Sequence, residues 1–140
     1  MAESRTPAPR ARVELVAAPA RQARVQETLD VQVETTEFDP PIPASLAAAL
    51  YRVAQEGLRN VSRHADAARV AVRLRREGSS AVLEIEDDGQ GFDVALAETR
   101  RPGMGLFSMR ERIGLVNGRL TVTSAPQRGT RVVATIPLAN

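Results

Sequence analysis

Three polar residues recur at every fourth position between residues 56 and 64. They are Glu56, Asn60 and His64, and on an α-helix this spacing places the side chains on one stripe. A carboxylate and an amide one turn apart could hold Mg²⁺, because magnesium prefers oxygen ligands and keeps several waters. A solvent-exposed helix face is usually polar as well. The spacing therefore leaves two interpretations open, a cation site and an ordinary exposed face.

A glycine-rich segment, Asp87 to Phe92, directly follows a predicted strand. Gly89 and Gly91 would let the backbone approach a flat ligand closely, because glycine has no Cβ. Asp87, at the end of the strand, could accept a hydrogen bond from an exocyclic amine. An ordinary Asp-Gly turn has the same composition, so the segment alone is consistent with either a binding loop or a turn.

A second glycine pair, Gly103 and Gly105, opens a predicted helix that continues through Leu106. The unpaired N–H groups of a helix N-terminus attract phosphate, and the helix dipole adds to this attraction. A loop that simply ends at a helix would have the same glycines. The chain contains no lysine, which excludes a phosphate loop of the Walker type.

Hydrophobic patterns predict the elements that would position these segments. Apolar alternation predicts five strands, near residues 29–33, 70–74, 81–86, 120–122 and 131–136. One helix is predicted from an N-cap at Ser45 to about Ala65, and a second from residue 103 to a stop at Asn117-Gly118, where Gly118 would be left-handed. This order predicts an α/β (α+β) two-layer sandwich, with helices on one face of a mixed, mostly antiparallel sheet.

Composition narrows the functional classes. Among 140 residues there is no cysteine, which excludes disulfides and thiolate metal sites. All 19 basic residues are arginine, and residues 1–24 hold five of them against two Glu. The remainder lacks the basic stripe and stacking aromatics of a nucleic-acid-binding protein.

Without a membrane segment or a secretory signal, a cytoplasmic domain is expected. Residues 1–24, rich in Ala, Pro and Arg, are predicted to be a tail or linker remnant.

In this order the three polar segments resemble the motifs of the Bergerat-fold ATPases, the superfamily that contains gyrase, the Hsp90 chaperones, histidine kinases and MutL. Tyr51 to Ala65 is similar to the N-box of histidine kinases with a short catalytic domain. Residues 87–92 and 103–106 resemble the two glycine boxes, and Gly129-Thr130 resembles the final box. The segment Met109-Arg110-Glu111-Arg112 is the most specific of these motifs. It resembles the corresponding segment of sensor histidine kinases that signal to helix-turn-helix response regulators.

The resemblance covers Leu29 to Pro137 and implies that residues 25–140 form the ATP-binding catalytic domain of such a kinase. Asp87 would then bind the adenine amine, and Gly89 and Gly91 would admit the adenine. Thr130 would support the adenine through a water.

On the phosphate side, the resemblance implies that Asn60 holds Mg²⁺. Glu56 would lie at the metal as well, and would act through a water as general base. His64 would lie near the phosphates or near the helix end. Gly103 and Gly105 would hinge the lid and face the phosphates, and Leu106 after them would also belong to the nucleotide-binding residues. A further hypothesis is that Arg100 or Arg101 closes onto the terminal phosphates, although both could equally be exposed without a role.

The only histidine, His64, belongs to the N-box, so the resemblance implies an acceptor histidine on a separate domain. The chain is then either the catalytic piece of a longer protein or a separate protein that acts with a partner. The implied partners are a dimerisation and phosphoacceptor domain and a downstream response regulator. An anti-sigma-factor-type serine kinase, which uses the same fold as a binding module, is the alternative. A module that binds nucleotide without transfer is a third interpretation, against which the intact Glu56 and Asn60 argue.

Overall fold

The computed structural model describes residues 17, 19–20, 29–94 and 105–138, with the side chains of His64 and Ala65 outside the description. A π-helical turn, Val61–Ala65, directly follows the first helix. The complete strands and α-helices in these ranges are, in chain order, β1 (Asp30–Thr35), α1 (Ala44–Asn60), β2 (Arg69–Glu77), β3 (Ser80–Asp87), α2 (Leu106–Gly114), β4 (Arg119–Ser124) and β5 (Thr130–Pro137).

The five strands form one sheet in the order β1-β2-β3-β5-β4. β1 runs parallel to β2, and every other neighbouring pair is antiparallel. α1 packs on β3 and β5, and α2 packs on β4 and α1. The predicted two-layer sandwich with a mixed, mostly antiparallel sheet is therefore confirmed. Neither helix of the described ranges is long and apolar enough to cross a bilayer.

The core lies between the helices and the sheet. In β2 the alternating residues Val70, Val72 and Leu74 are buried, as period-two patterning requires. Leu50 of α1 and Ile113 of α2 are completely buried against this face. Burial of each large aliphatic side chain stabilises the fold by about 1.5–3 kcal/mol, which holds both helices in place above the strand ends.

The start of α1 differs from the prediction. Ser45 is not the N-cap: the helix begins at Ala44, Pro43 occupies the cap position, and no side chain caps it. The Ala47 N–H instead donates to the Pro43 carbonyl at 2.9 Å. Proline fixes its own φ near the value that helix entry needs, and this backbone preference replaces the expected side-chain cap.

The end of α2 also differs, because Asn117, with φ 62°, takes the left-handed conformation that was expected of Gly118. The helix ends at Gly114, earlier than predicted. Gly118 donates its N–H to the Ile113 carbonyl at 2.9 Å. A Cβ at Gly118 would lie 2.6 Å from the Thr135 carbonyl oxygen, so glycine is required there for close packing rather than for its φ.

The other face of the sheet carries a buried carboxylate. Glu84 of β3 has a side chain only 6% exposed, and it points away from the helices because its neighbours along the strand point towards them. It accepts hydrogen bonds from Arg131 Nε and, at 3.0 Å, from Arg75 Nη1, and Arg73 Nη1 lies 3.6 Å away. Burial acts to raise the pKa of Glu84, but the bonds from Arg131 and Arg75 outweigh it and lower that pKa.

The predicted tail, residues 1–24, is described only at residues 17, 19 and 20. Among these, Ala20 is completely buried in the hydrophobic core. The packed unit therefore includes at least this residue of the predicted tail.

Candidate functional site

A cavity of about 270 Å³ lies between α1, the end of β3, the beginning of β5 and the first residue of α2. Its wall is mostly apolar with a few polar groups, which is typical of small-molecule sites. The described lining residues are Gly57, Asn60, Val61, Ile85, Asp87, Gln90, Gly91, Phe92, Leu106, Thr130 and Val132.

Asp87 is the carboxylate of this cavity. It is the last residue of β3 and pairs across the sheet with Thr130, the first residue of β5. Its Oδ1 accepts the Gly89 N–H at 2.8 Å, and the Thr130 backbone N–H also bonds to the carboxylate. Burial raises the pKa of Asp87, and the two N–H donors oppose that rise. The carboxylate is thus fixed by the backbone and presented to whatever occupies the cavity.

The next residue, Asp88, bonds to the backbone of β2 and of the residue before that strand. Its Oδ1 accepts the backbone N–H groups of Ala68 and Arg69, both at 3.0 Å. The bond from Arg69 makes the largest contribution to lowering the pKa of Asp88, and the bond from Ala68 adds to it. Asp88 does not line the cavity. Its hydrogen bonds link the end of β3 to the beginning of β2.

Two glycines allow the loops around Asp87 to approach each other. Gly91 has φ +67°, and a Cβ there would overlap the Ala125 carbonyl oxygen. Gly129 has φ +73°, and its Cβ would overlap the Asp87 carbonyl oxygen. Both positions require a left-handed backbone and the absence of a side chain. The 125–129 turn therefore presses directly on the strand end that carries Asp87.

Glu56 lies in a separate groove of about 110 Å³ between α1 and α2. Gly105, with φ 68°, is the N-cap of α2, and a Cβ on it would lie 2.8 Å from Glu56 Oε2. Asn60, one turn after Glu56, lines the main cavity. The two predicted metal and catalytic residues thus line different depressions, both of which are bordered by residues of α2.

The predicted stripe of four-residue spacing does not continue regularly to His64. α1 ends at Asn60 and the π-helical turn Val61–Ala65 follows, so the helical repeat changes between Asn60 and His64. Val61, the first residue of the π-helical turn, lines the cavity. Such turns are frequent at functional sites. The interval of four is therefore a poor guide to where His64 lies relative to Asn60.

The structure brings half of the ten predicted site residues together around one cavity. Gly89 lies outside the lining but bonds to Asp87. Gly103, Arg100 and Arg101 lie outside the described residues. The predicted residues that line the cavity are Asn60, Asp87, Gly91, Leu106 and Thr130.

Sequence analysis missed two residues that shape the cavity. Gly57 lies within α1, and a Cβ there would be 2.6 Å from Ile85 Cδ1. A glycine inside a helix costs about 1 kcal/mol relative to alanine, so its presence was a usable signal of close packing. Ser124 hydrogen bonds to Phe92, Gly129 and Thr130. No local pattern could reveal it, because the Phe92 partner is 32 positions away.

Residues 46–140 match the family described as "Histidine kinase-, DNA gyrase B-, and HSP90-like ATPase". This match covers most of the chain, so the chain belongs to that family of ATPase domains. The resemblance to histidine kinase ATP-binding domains and the Bergerat fold are confirmed by this match and by the relatives below.

Two curated relatives and one solved structure illustrate the similarity. The chain is 36% identical to the sensor histidine kinase MctS of Rhizobium johnstonii, over 78% of this chain and 24% of the relative. It is 33% identical to the signal transduction histidine-protein kinase/phosphatase DegS of Brevibacillus brevis, over 69% of this chain and 24% of the relative. The histidine kinase domain of the Erythrobacter litoralis EL346 blue-light activated histidine kinase superposes with a TM-score of 0.65 at 26% identity, covering 89% of this chain and 61% of that one. The chain spans about a quarter of the length of the curated relatives it matches.

Proposed function

We propose that this chain binds Mg-ATP in the cavity around Asp87 and donates the γ-phosphoryl group to a histidine on a separate dimerisation domain. It would act as the catalytic domain of a sensor histidine kinase. The observation that carries the proposal is the half-buried carboxylate of Asp87, fixed by backbone N–H donors in a mostly apolar cavity. The relatives are named histidine kinases, which favours a histidine acceptor over the serine acceptor of the anti-sigma-factor alternative.

The adenine would occupy the apolar part of the cavity. Asp87 would accept a hydrogen bond from the exocyclic amine, with Gly89 holding the carboxylate in place. Gly91 would allow the backbone to lie close to the flat base, and Thr130 would complete the polar contacts. The half-buried carboxylate has two backbone donors, but a bound base would cut its remaining lone pairs off from water. A base whose amine bonds to those lone pairs would therefore be preferred.

The phosphates would extend towards the beginning of α2, where Gly105 and Leu106 provide a helix N-terminus that favours anions. Gly103 would hinge the lid before it, and His64 would lie near the phosphates. Mg²⁺ is usually held by one or two protein oxygens together with the phosphates. The amide oxygen of Asn60, which lines the cavity, fits that role.

Glu56 would act at the phosphate end through a water, as general base or as an orienting group. Its position against Gly105 would keep the carboxylate beside the start of α2. Phosphoryl transfer depends mainly on positioning and charge neutralisation, so the magnesium ion would supply the neutralising charge while Asn60, α2 and Glu56 position the donor.

The acceptor domain and a response regulator would be the partners, and the cytoplasm, where ATP is supplied, would be the place of action. Residues 25–140 would be the ATP-binding unit, with Ala20 packed against it. Residues 1–24 would otherwise connect this unit to its surroundings as a tail or linker.

The test is a calorimetric titration with ATP and Mg²⁺ of the wild type, Asp87→Asn and Asp88→Asn. Asn has the size of Asp but presents the wrong hydrogen-bond pattern to an amine, so Asp87→Asn should weaken binding by about 1–3 kcal/mol. Asp88→Asn is the matched control and should bind as the wild type does, because its carbonyl oxygen can still accept the N–H groups of Ala68 and Arg69. Equal affinities in all three folded proteins would contradict the proposal.

The acceptor is tested with γ-labelled ATP and the separately purified dimerisation domain of a DegS-type relative. Phosphohistidine is labile in acid and stable in alkali, whereas phosphoserine behaves in the opposite way. We expect acid-labile label on that domain, and a strong decrease in its rate of appearance in Glu56→Gln with unchanged ATP affinity. Acid-stable label would favour the serine-kinase alternative.

A further inference from the structure

The hydroxyl of Ser124, the last residue of β4, is surrounded by three polar groups. Its Oγ lies 2.9 Å from the Phe92 backbone nitrogen, 2.9 Å from the Gly129 carbonyl oxygen and 2.8 Å from Thr130 Oγ1. Phe92 and Thr130 both line the cavity, whereas Ser124 does not. Ser124 therefore joins two parts of the cavity wall from behind.

One assignment of protons satisfies all three contacts of Ser124. The Phe92 nitrogen can only donate and the Gly129 carbonyl can only accept, whereas a hydroxyl donates once and accepts twice. In this assignment Ser124 donates its single proton to the Gly129 carbonyl. The contact with Thr130 Oγ1, for which either hydroxyl could be the donor, then takes its proton from Thr130. Ser124 is then saturated, with one bond donated and two accepted.

The consequence appears on the cavity side of Thr130. With its proton directed to Ser124, the Thr130 hydroxyl has only lone pairs left for a ligand or for a bridging water. Asp87 beside it is also an acceptor, and the Thr130 backbone N–H is already bonded to Asp87. The paired ends of β3 and β5 therefore present hydrogen-bond acceptors and no donor from these two residues.

We propose that Ser124 is a positioning residue that sets the base selectivity of the site, by holding the Thr130 hydroxyl as an acceptor next to Asp87. An amine at the purine 6-position has two protons, one for each acceptor of such a pair. A purine with a 6-carbonyl has a single donor on this edge, the N–H of the adjacent ring nitrogen, so one acceptor faces the carbonyl lone pairs and stays unpaired. This inference rests on the proposed ATP binding and extends it from affinity to selectivity.

The test compares ATP with inosine triphosphate (ITP), in which a carbonyl replaces the amine and the adjacent ring nitrogen carries a proton. Calorimetric affinities of both nucleotides are measured for the full chain and for Ser124→Ala. In the variant the Thr130 proton is free to turn towards the cavity, so the ATP-to-ITP preference should decrease by about 3–10-fold, the range expected for one hydrogen bond. Equal weakening of both nucleotides would indicate a purely structural role and would overturn the proposal.

A double-mutant cycle with Thr130→Val identifies the route of the effect. Valine keeps the shape of threonine without the hydroxyl, so Ser124→Ala should not change the ATP-to-ITP ratio further in that background. The same change of ratio in both backgrounds would overturn the proposal, because Ser124 would then act without Thr130. Ser124→Thr retains a hydroxyl and should retain the wild-type ratio.

Two further outcomes are separated by the same measurements. If Ser124→Ala does not fold, Ser124→Cys keeps the side-chain size while weakening the acceptor, and the same loss of preference is expected. If the folded wild type binds neither nucleotide, the proposed ATP site itself fails and this inference fails with it. Wild-type ATP binding with no effect of Ser124 on the ratio refutes the inference alone.

Discussion

Replacement of Gly129 by alanine should disturb the nucleotide site through the backbone of Asp87. The new Cβ would be closer than 3.0 Å to the Asp87 carbonyl oxygen and 3.3 Å from its carbonyl carbon. Non-bonded atoms prefer about 3.5–4.0 Å, so one of the two segments must move by on the order of 1 Å. A displacement of that size breaks the hydrogen bond that the Thr130 N–H makes to the Asp87 side chain.

The magnitude follows from two contributions. A non-glycine residue at positive φ costs about 1–2 kcal/mol, and the overlap with the Asp87 backbone adds about 1–3 kcal/mol, as in other overpacked sites. We expect Gly129→Ala to lose about 2–5 kcal/mol of unfolding free energy and most of its ATP affinity. Denaturant unfolding and calorimetric titration measure the two effects separately.

Gly78→Ala is the matched control, because Gly78 has φ +60° but no atom lies within 4 Å of its Cβ position. It should lose only about 1 kcal/mol, from the backbone conformation alone, and keep the wild-type ATP affinity. If Gly129→Ala loses no more stability than Gly78→Ala and still binds ATP normally, the close approach of the 125–129 turn does not determine the position of Asp87.

Three further predictions concern residues outside the cavity. Glu84→Gln should cost about 1–3 kcal/mol at pH 7, because hydrogen bonds from Arg75 and Arg131 to a charged acceptor are lost. The folded-state pKa of Glu84 is lowered, so its contribution is complete above the unfolded pKa of about 4.3 and disappears as the pH falls through the folded value. Urea unfolding between pH 7 and pH 3 should therefore show the difference between wild type and variant shrinking; a constant difference would contradict this. Asp88→Ala should lower the free energy of unfolding by about 1 kcal/mol and leave the ATP affinity unchanged. A loss of affinity like that of Asp87→Asn would refute the conclusion that Asp88 only links the end of β3 to the beginning of β2. Phe107, 71% exposed on α2, should tolerate serine within about 0.5 kcal/mol, and a larger loss in thermal or denaturant unfolding would show that it packs in solution.

The strands and helices were largely predictable because the sequence patterns that indicate them span only a few neighbouring residues. The alternation of Val70, Val72 and Leu74 is contained in five positions, and the register of β2 with β3 follows from a tight turn at Gly78. The order of the three polar segments then placed Asp87 at a strand end beside a helix N-terminus. Each of these inferences needs only the periodicity of a short segment and the identity of its turn residues.

Features that depend on distant partners were missed or misplaced. Asn117 rather than Gly118 takes the left-handed backbone conformation. Gly118 is needed instead for its close contact with the Thr135 backbone, and this contact outweighs the usual preference of glycine for positive φ. The π-helical turn after Asn60 changes the helical repeat without any breaker residue. Ser124 has its partners on other elements, so only the folded chain shows that it is saturated.

The pairing of Asp87 with Thr130 has a consequence for how this site could diversify. The two strand ends are held together by the β3–β5 ladder, so the sequence between Phe92 and α2 is not needed to close them. A change in the length of that sequence should therefore leave Asp87 and Thr130 paired in the same register. Under the proposed function, base recognition would then be a unit of its own, which could be kept constant while the sequence between Phe92 and α2 is exchanged.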